Sequence, residues 1–572
     1  MVKAGLEIHQ QLDCRKLFCT CDSLDLGNDS VFVRKLHATS SEMGTIDVAA
    51  KAEGVREFTY FNKSCNCLVY TDEEPPRGPN REAIEIALQF AELVGASVIE
   101  EMHFMRKVVV DGSNTSGFQR TALVATGGKI EYGNETIEIE QICLEEDSCR
   151  HGENKDEYLL DRLGIPLLEI TTKPQLKEPK QVQMAAKALG RLLRACRVKR
   201  GLGTIRQDVN VSIDGGERVE LKGFQDLSTM AKVVENEIRR QQNLKDLSGT
   251  KASEPMEVTK HISKDRGTAI ACKLTGWKEK LGTKKSPEGH IRMGRELSDY
   301  AKKAGVQGLM HSDELPAYGI SSKETKKLHQ LLECKDNDAF VLIFGEKNIA
   351  EDAIGRVIER IKVNGVPKEV RRVTPDGLTR FLRPMPGASR MYPETDIPPM
   401  ILTNIKVKAP KTLDQRESEM PLNDEESKQI VSRNLDEKFQ NFMKYYEEPK
   451  TISRLLLHTL PNLKSKNGKI IKEDAITKVL ELVKEGKIAK EGIEDALIQA
   501  NSGKDIKIKN ENIEEDVVKF IDKLIDEKID FIKLRGMEAI GPLMGPVMSE
   551  FRGEMDGAKI NALLIRKIKE KM

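Results

Sequence analysis

The hydrophobic period changes along the chain, and this restricts the fold more than any other feature. Residues 108–110 and 209–213 are short β-branched runs bounded by Gly or Asp, the pattern of strands. Residues 82–93 and 181–196 instead place apolar side chains at helical spacing, the second run stopping near Gly201. From about residue 417 onward the pattern is helical throughout and rich in Lys, Glu, Ile and Leu. No single sheet or bundle satisfies both periods, so the spacing predicts a multidomain α+β protein. Its length, 572 residues, allows about three to five domains.

The same patterning suggests boundaries. Residues 1–275 and 367–408 read as one α+β body. Residues 276–366, entered through the Lys-, Ser-, Pro- and Gly-containing loop 282–290, alternate helix and strand and read as a domain inserted into that body. Helical patterns are expected there over 295–303, 323–334 and 351–362, with a strand over 339–344. A polar stretch leads to a helical domain at 417–467, and amphipathic helices fill a tail at 468–572.

Composition narrows the class. Hydrophobic residues at 39% exclude a disordered chain. A net charge of +1, from 92 basic and 91 acidic residues, excludes a protein that grips nucleic acid over its whole surface, so any basic face is local. One such stripe runs through Lys187, Arg191 and Arg194 to Arg197, Lys199 and Arg200, and reads either as a face for RNA phosphates or as a solvated helix side. No apolar run approaches the roughly 20 residues of a membrane span, and the first residues enter a motif directly, so a cytoplasmic protein is expected. Ten cysteines are too few for a disulfide scaffold of this size and suit thiols or metal ligands.

Several segments carry chemistry. In Gly5-Leu-Glu-Ile-His-Gln-Gln-Leu12, a strand would put Glu7 and His9 on one face and Leu6 and Ile8 on the other. The first face suits a divalent metal, or else is a surface Glu beside a hydrogen-bonded His. The acids of Leu144-Glu-Glu-Asp-Ser148 need either a cation or solvent. Glu169 lies within the apolar run Pro166-Leu-Leu-Glu-Ile-Thr171, where a carboxylate is costly unless paired or metal-bound. Together these acids and one imidazole make a hard, oxygen-rich set that favours Mg²⁺ or Mn²⁺ over structural zinc.

A strand then runs into Asp111-Gly-Ser-Asn-Thr-Ser-Gly-Phe-Gln119, a loop with hydroxyls and backbone N–H groups suited to phosphate, with Lys107 or Arg120 as its charge; a polar turn is the plainer reading. Arg206, Asp208 and Asn210 share one strand face, and Glu220 and Lys222 another, forming either the floor of a polar cleft or a solvent-facing sheet. Cys19-Thr-Cys21 and Cys65-Asn-Cys67 are a candidate Cys₄ zinc site, although one intervening residue is fewer than zinc knuckles use; free thiols near a turn are the other reading. The sequence contains no Walker motif and no nucleophile elbow, so an ATP site here is not a P-loop and ammonia, if used, is made elsewhere.

The motifs GLEIHQQL, KLFCTC, DEEPP, RKVVVDGSNTSGFQRT, LEEDS, LLEITTKP, GTIRQDVNVSI, VELKG and RMYPETDIPP, in this order, resemble the E-type family of archaeal glutamyl-tRNA(Gln) amidotransferase subunits, relatives of the bacterial and organellar B type. Residues 293–320 resemble the domain inserted in bacterial-type aspartyl-tRNA synthetases, and 536–553 the tail shared by both types. The resemblance implies a cradle-shaped catalytic body, the inserted domain, a helical domain and a tRNA-binding tail. It implies ATP-dependent phosphorylation of Glu on tRNA(Gln), followed by amidation with ammonia from an asparaginase-like D subunit in a heteromer. It implies Mg²⁺ held by Glu7, His9, Glu146 and Glu169. By their chemistry, Lys107, Asp111 and Arg206 are the expected catalytic groups, and Ser113, Asn114, Gln119 and Lys222 the expected nucleotide-binding ones. The family's zinc pattern is matched only in part, because Cys65 and Cys67 stand one residue closer than Cys-x-x-Cys. A non-catalytic tRNA adaptor is the alternative that the RNA-type modules leave open, but it leaves the acid–imidazole set unexplained.

Overall fold

A computed structural model describes residues 1–571 except 24–29, 41–43, 48–49, 51–54, 63–64, 225, 246–250, 264–265, 283–292, 364, 388–389, 469, 507–512 and 552–554. Most of the loop expected at 282–290 therefore lies outside the described residues. The chain divides into two units, Met1–Pro410 and Lys411–Met572. No described helix is long and apolar enough to cross a membrane.

The first unit is built on ten strands in one path: β1 (Val2–Gln11), β2 (Phe104–Val108), β3 (Phe118–Thr126), β4 (Glu135–Glu146), β5 (Pro166–Thr172), β6 (Ile205–Ile213), β7 (Val219–Lys222), β8 (Glu369–Val373), β9 (Thr379–Pro384) and β10 (Met391–Pro393). Their spatial order is β9-β8-β7-β6-β1-β5-β4-β3-β2-β10. Every neighbouring pair is antiparallel except β7 and β8. That parallel pair is where the connection is longest, as a crossover requires.

Chain connectivity bends this sheet. Ten flat strands spaced about 4.8 Å apart would separate β9 from β10 by roughly 43 Å. Yet Pro384 ends β9 and Met391 begins β10. Seven residue steps span at most about 25 Å. The two edges must therefore approach one another, and the sheet curls around one of its faces.

The outer, apolar face packs against helices. Leu6 and Ile8 of β1 are fully buried. Helix α1 (Arg81–Leu93), capped by Asn80 accepting from the Glu82 amide at 2.9 Å, and helix α2 (Pro179–Leu193) bring Ile84, Phe90, Val182 and Leu189 into the same core. Helix α3 (Met230–Lys245) lies on β6.

The inserted domain forms a four-stranded sheet, Met256–Glu257, Thr268–Leu274, Ala339–Gly345 and Met310–His311, with helices α4 (Met293–Lys302) and α5 (Lys347–Lys362). The expected start at residue 276 is thus too late: Thr268–Leu274 pairs along its length with Ala339–Gly345, and pairing rather than composition defines the domain. In the second unit, one core gathers Leu413 to Leu497 and another Val517 to Ile568. The expected division at 467/468 cuts through the first of these, because the helix Glu473–Lys484 buries Val479 and Leu480 against the earlier helices.

Candidate active site

The curled sheet gathers ionisable side chains on its inner face. Cross-strand register sets Glu7 opposite Asp208, and His9 opposite Arg206 on one side and Glu169 on the other. Glu145 of β4 stands opposite Leu167, two residues from Glu169, and Gln119 of β3 stands opposite Lys107 of β2. Side chains two apart share a face, so these residues form a continuous polar floor over six strands.

At its centre, His9 Nε2 lies 3.6 Å from Glu7, 3.6 Å from Glu169 and 3.8 Å from Glu145. These separations are too long for hydrogen bonds. They fall between the roughly 3.0 and 4.2 Å that separate adjacent and opposite ligands in an octahedral shell with bonds of about 2.1 Å. The ligand atoms of Glu7, His9 and Glu169 all lie within 4.8 Å of one another and fit a hard divalent cation, with Glu145 beside them. His9 Nδ1 is buried and has no partner among the described residues, so no hydrogen bond there pins the ring.

The electrostatics divide the carboxylates. Burial, reinforced by Glu169, pushes Glu145 up to about 7. Burial opposes ionisation at Glu169 too, but Lys107, 3.3 Å away, together with Glu145 and His9, outweighs it and holds Glu169 well below the usual carboxylate range. Burial would lower His9, and the surrounding carboxylates, Glu169 foremost, raise it instead. Two buried carboxylates side by side share ionisation unequally.

A second trio, Glu7, Asp208 and Glu220, adjoins the first. Its cation is already present: Lys222 Nζ lies 2.6 Å from Asp208 and 2.5 Å from Glu220.

Not every expected site residue joins this floor. Glu146 does not. Successive strand residues face opposite ways, and Glu146 points to the other side, accepting from the Arg120 amide at 2.9 Å with the Arg120 guanidinium at 3.5 Å. Glu145, and not Glu146, faces His9. Lys107 and Gln119 belong to the floor, Gln119 donating to Glu145 at 3.1 Å. Arg206 is at its margin, paired with buried Asp147 at 3.0 Å. Asp111 accepts from the amide and hydroxyl of Ser113 at 3.0 and 2.6 Å, and Asn114 donates to Ser148 at 3.2 Å, so these three brace their own loop. Within it Gly112, at φ +93°, leaves no room for a Cβ, which would fall 2.5 Å from the rings of Phe58 and Tyr158.

The expected Cys₄ set is also divided. The Sγ atoms of Cys19, Cys21 and Cys67 lie within 4.8 Å of one another, whereas Cys65 Sγ is 3.9 Å from the Asp161 carbonyl. Fully buried Lys16 sits against this group, donating to Asn66 and lying 5.2 Å from the Tyr70 ring centroid.

The two faces of β4 give a direct test. Glu145→Gln should weaken Mn²⁺ binding, followed by electron paramagnetic resonance, by about tenfold or more, as loss of a metal-site group does. Glu146→Gln should leave it within about twofold, because only its structural bonds to Arg120 change. The reverse ranking would put Glu146, and not Glu145, on the inner face of the sheet.

Residues 2–408 match the family model described as the GatB/GatE catalytic domain, and residues 437–568 match the GatB domain. The chain is 40% identical to the E-type glutamyl-tRNA(Gln) amidotransferase subunit of Thermococcus gammatolerans, over 100% of this chain and 98% of that protein. It is 42% identical to the protein of that name from Archaeoglobus fulgidus (99% and 98% covered) and 41% identical to that from Methanocaldococcus jannaschii (100% and 98% covered).

Proposed function

The chain belongs to the GatB/GatE catalytic-domain family, and on that basis we propose that it is the ATP-using, tRNA-binding subunit of an amidotransferase that converts Glu to Gln while the Glu is esterified to tRNA(Gln). The observation that supports this reading is the cluster of Glu7, Glu145 and Glu169 around His9, on a floor that also carries Lys107 and Lys222.

A free carboxylate resists attack because its charge repels nucleophiles and it has no good leaving group. In the proposed reaction, an oxygen of the Glu side chain attacks the terminal phosphorus of ATP. An O–P bond forms as the bond to ADP breaks, giving an acyl phosphate. Ammonia then attacks the acyl carbon: a C–N bond forms, the C–O bond breaks, and phosphate leaves with loss of a proton. A divalent cation, Mg²⁺ for preference, would be held by Glu7, His9, Glu145 and Glu169 and neutralises charge on phosphate oxygens when bound. Lys107 keeps Glu169 ionised, and Gln119 orients Glu145. Lys222 neutralises the adjoining acids so that repulsion among them does not spread the floor apart. Ammonia is supplied by a partner of the asparaginase-like D type, in a heteromer. Cys19, Cys21 and Cys67 would hold zinc, with Lys16 offsetting the charge of the thiolates.

The test uses purified protein with Mg²⁺, ATP, ammonium chloride and tRNA(Gln) charged with labelled Glu. Release of the amino acid should yield Gln, and omission of ATP should abolish it. Absence of Gln even with the asparaginase-like partner present, while tRNA still binds, favours the adaptor alternative.

The tail carries a separate expectation. Removing residues 507–572 takes away the core of Val517 to Ile568 and leaves the core of Leu413 to Leu497 whole. Affinity for tRNA, read by filter binding, should fall by about tenfold or more as phosphate contacts are lost, while Mn²⁺ affinity stays unchanged. Unaltered tRNA affinity would move recognition to another part of the chain.

A further inference from the structure

Two guanidinium groups at the margin of the acidic floor have no counter-ion among the described residues. Arg390 immediately precedes β10, whose Met391 pairs with Lys107. It donates from Nε to the Val108 carbonyl, at 3.1 Å. Arg383 lies on β9, at the opposite edge of the sheet, in register with Val370, which is itself in register with Glu220. The short connection after β9 brings the two edges together, and Arg383 and Arg390 act on each other's charge. Among the described residues neither has a carboxylate within 4.0 Å. Glu145, Asp47 and Asp111 act on Arg390 only from farther away, and burial together with Arg383 holds its guanidinium below its ordinary range. Arg383 also acts on Glu220 and lines a cleft of about 1230 Å³ between the inserted domain and the body.

Of the buried arginines, Arg371, Arg240 and Arg120 meet carboxylates directly, and Arg360 donates to the Val363 and Gly365 carbonyls. A pair of like charges, half-buried and without an acid in contact, is unfavourable in isolation and becomes favourable when a dianion bridges it. Guanidinium groups match the oxygens of a phosphate two at a time. Arg390 borders a floor suited to a divalent cation and Arg383 an open cleft, so the two guanidinium groups together reach both surroundings that a metal-bound polyphosphate needs.

We propose that Arg383 and Arg390 form a phosphate-binding pair that holds the polyphosphate of a nucleotide against the floor of Glu145, Glu169 and Lys107. This assignment rests on the ATP-dependent reading above and adds to it the residues that receive the phosphate.

The test measures binding of ATP, tripolyphosphate and tRNA, each with Mg²⁺, to the full-length chain and to its Arg383→Gln, Arg390→Gln, double Gln and Arg390→Lys variants. Folding is checked in each by the fluorescence of Trp277, the one tryptophan of the chain. The double variant should lose ATP and tripolyphosphate affinity by at least about tenfold, the scale of a charge-assisted hydrogen bond, with Arg390→Lys losing less. Its tRNA affinity should hold. Unchanged ATP and tripolyphosphate affinity in the folded double variant, or in folded Arg383→Gln and Arg390→Gln if the double variant does not fold, overturns the pair. Loss of tRNA affinity with ATP affinity intact overturns the nucleotide assignment in favour of an RNA phosphate. If the wild-type chain makes no Gln yet its tripolyphosphate binding still depends on both arginines, the amidotransferase reading fails and the phosphate site stands.

Discussion

Glu169→Gln should lower ATP-dependent formation of Gln on tRNA by on the order of 10³-fold, with the protein still folded. The substitution keeps the shape of the side chain and removes its charge, so β5 retains its packing between β1 and β4. What it removes is the carboxylate of the floor most firmly held in its ionised form. Lys107, Glu145 and His9 keep Glu169 charged despite burial, whereas its neighbour Glu145 is pushed up to about 7. Without Glu169, His9 loses the foremost of the groups that raise it, Lys107 keeps Glu145 alone, and a divalent cation bound there would lose a ligand. About 4 kcal/mol of lost charge stabilisation in the transition state corresponds to that fall in rate. The measurement is a single-turnover assay at saturating ATP with Mg²⁺ or Mn²⁺, together with tRNA binding, which should not change. Gln formation within about threefold of wild type would mean that the reacting groups lie elsewhere on the sheet.

The second large effect concerns stability. Arg371 is completely buried where β8 meets the inserted domain. All its N–H groups are engaged: Nε donates to the Thr379 hydroxyl at 2.8 Å, one terminal nitrogen donates to Glu296 and Glu369 at 2.9 and 2.7 Å, and the other to Glu296 and the Thr379 carbonyl at 2.7 and 2.9 Å. Arg240 completes the network through Glu237, at 2.9 and 3.0 Å, and Glu369, at 3.1 Å. Arg371→Met would leave Glu237, Glu296 and Glu369 around a single guanidinium. Breaking a buried pair from one side costs about 3–5 kcal/mol, because the remaining charges stay desolvated. Trp277 is buried at the inserted domain, so its fluorescence during urea unfolding should show the midpoint falling by that equivalent. A midpoint shift equivalent to less than about 1 kcal/mol would mean that water or relaxation replaces the lost bonds.

The same network sets an acid limit. Burial alone would raise Glu296, but Arg371 and Arg240 outweigh it and hold it at about 2. A carboxylate depressed in the folded state contributes stability that is full above its ordinary value near 4.5 and is lost as pH falls toward about 2. Wild-type stability should therefore drop across that window. In Arg371→Met the drop should be shallower, since the folded-state value of Glu296 rises toward the unfolded one.

Local period and turn chemistry determined a good deal of this protein. The alternation in Gly5 to Leu12 places Glu7 and His9 on one face with Leu6 and Ile8 behind, whatever the strand pairs with, because successive side chains of a strand face opposite ways. The helices Arg81–Leu93 and Pro179–Leu193 were legible for the same reason, from apolar residues at helical spacing. The motif order carried the family, which the full-length similarity to the archaeal E-type proteins supports. Other features depended on partners far away in the chain. Alternation says that Glu145 and Glu146 face opposite sides, but only the pairing of β4 with β5 decides that Glu145 meets His9. The start of the inserted domain depends on Thr268–Leu274 finding Ala339–Gly345, a pairing across more than sixty residues that no local pattern encodes. Cys65 and Cys67 are nearly adjacent in sequence, yet only Cys67 turns toward Cys19 and Cys21. Nothing local in the sequence marks Arg383 or Arg390 among its many cations. Their want of a carboxylate in contact became visible only when the curled sheet brought its two edges together, since a charge's environment depends on every chain segment around it.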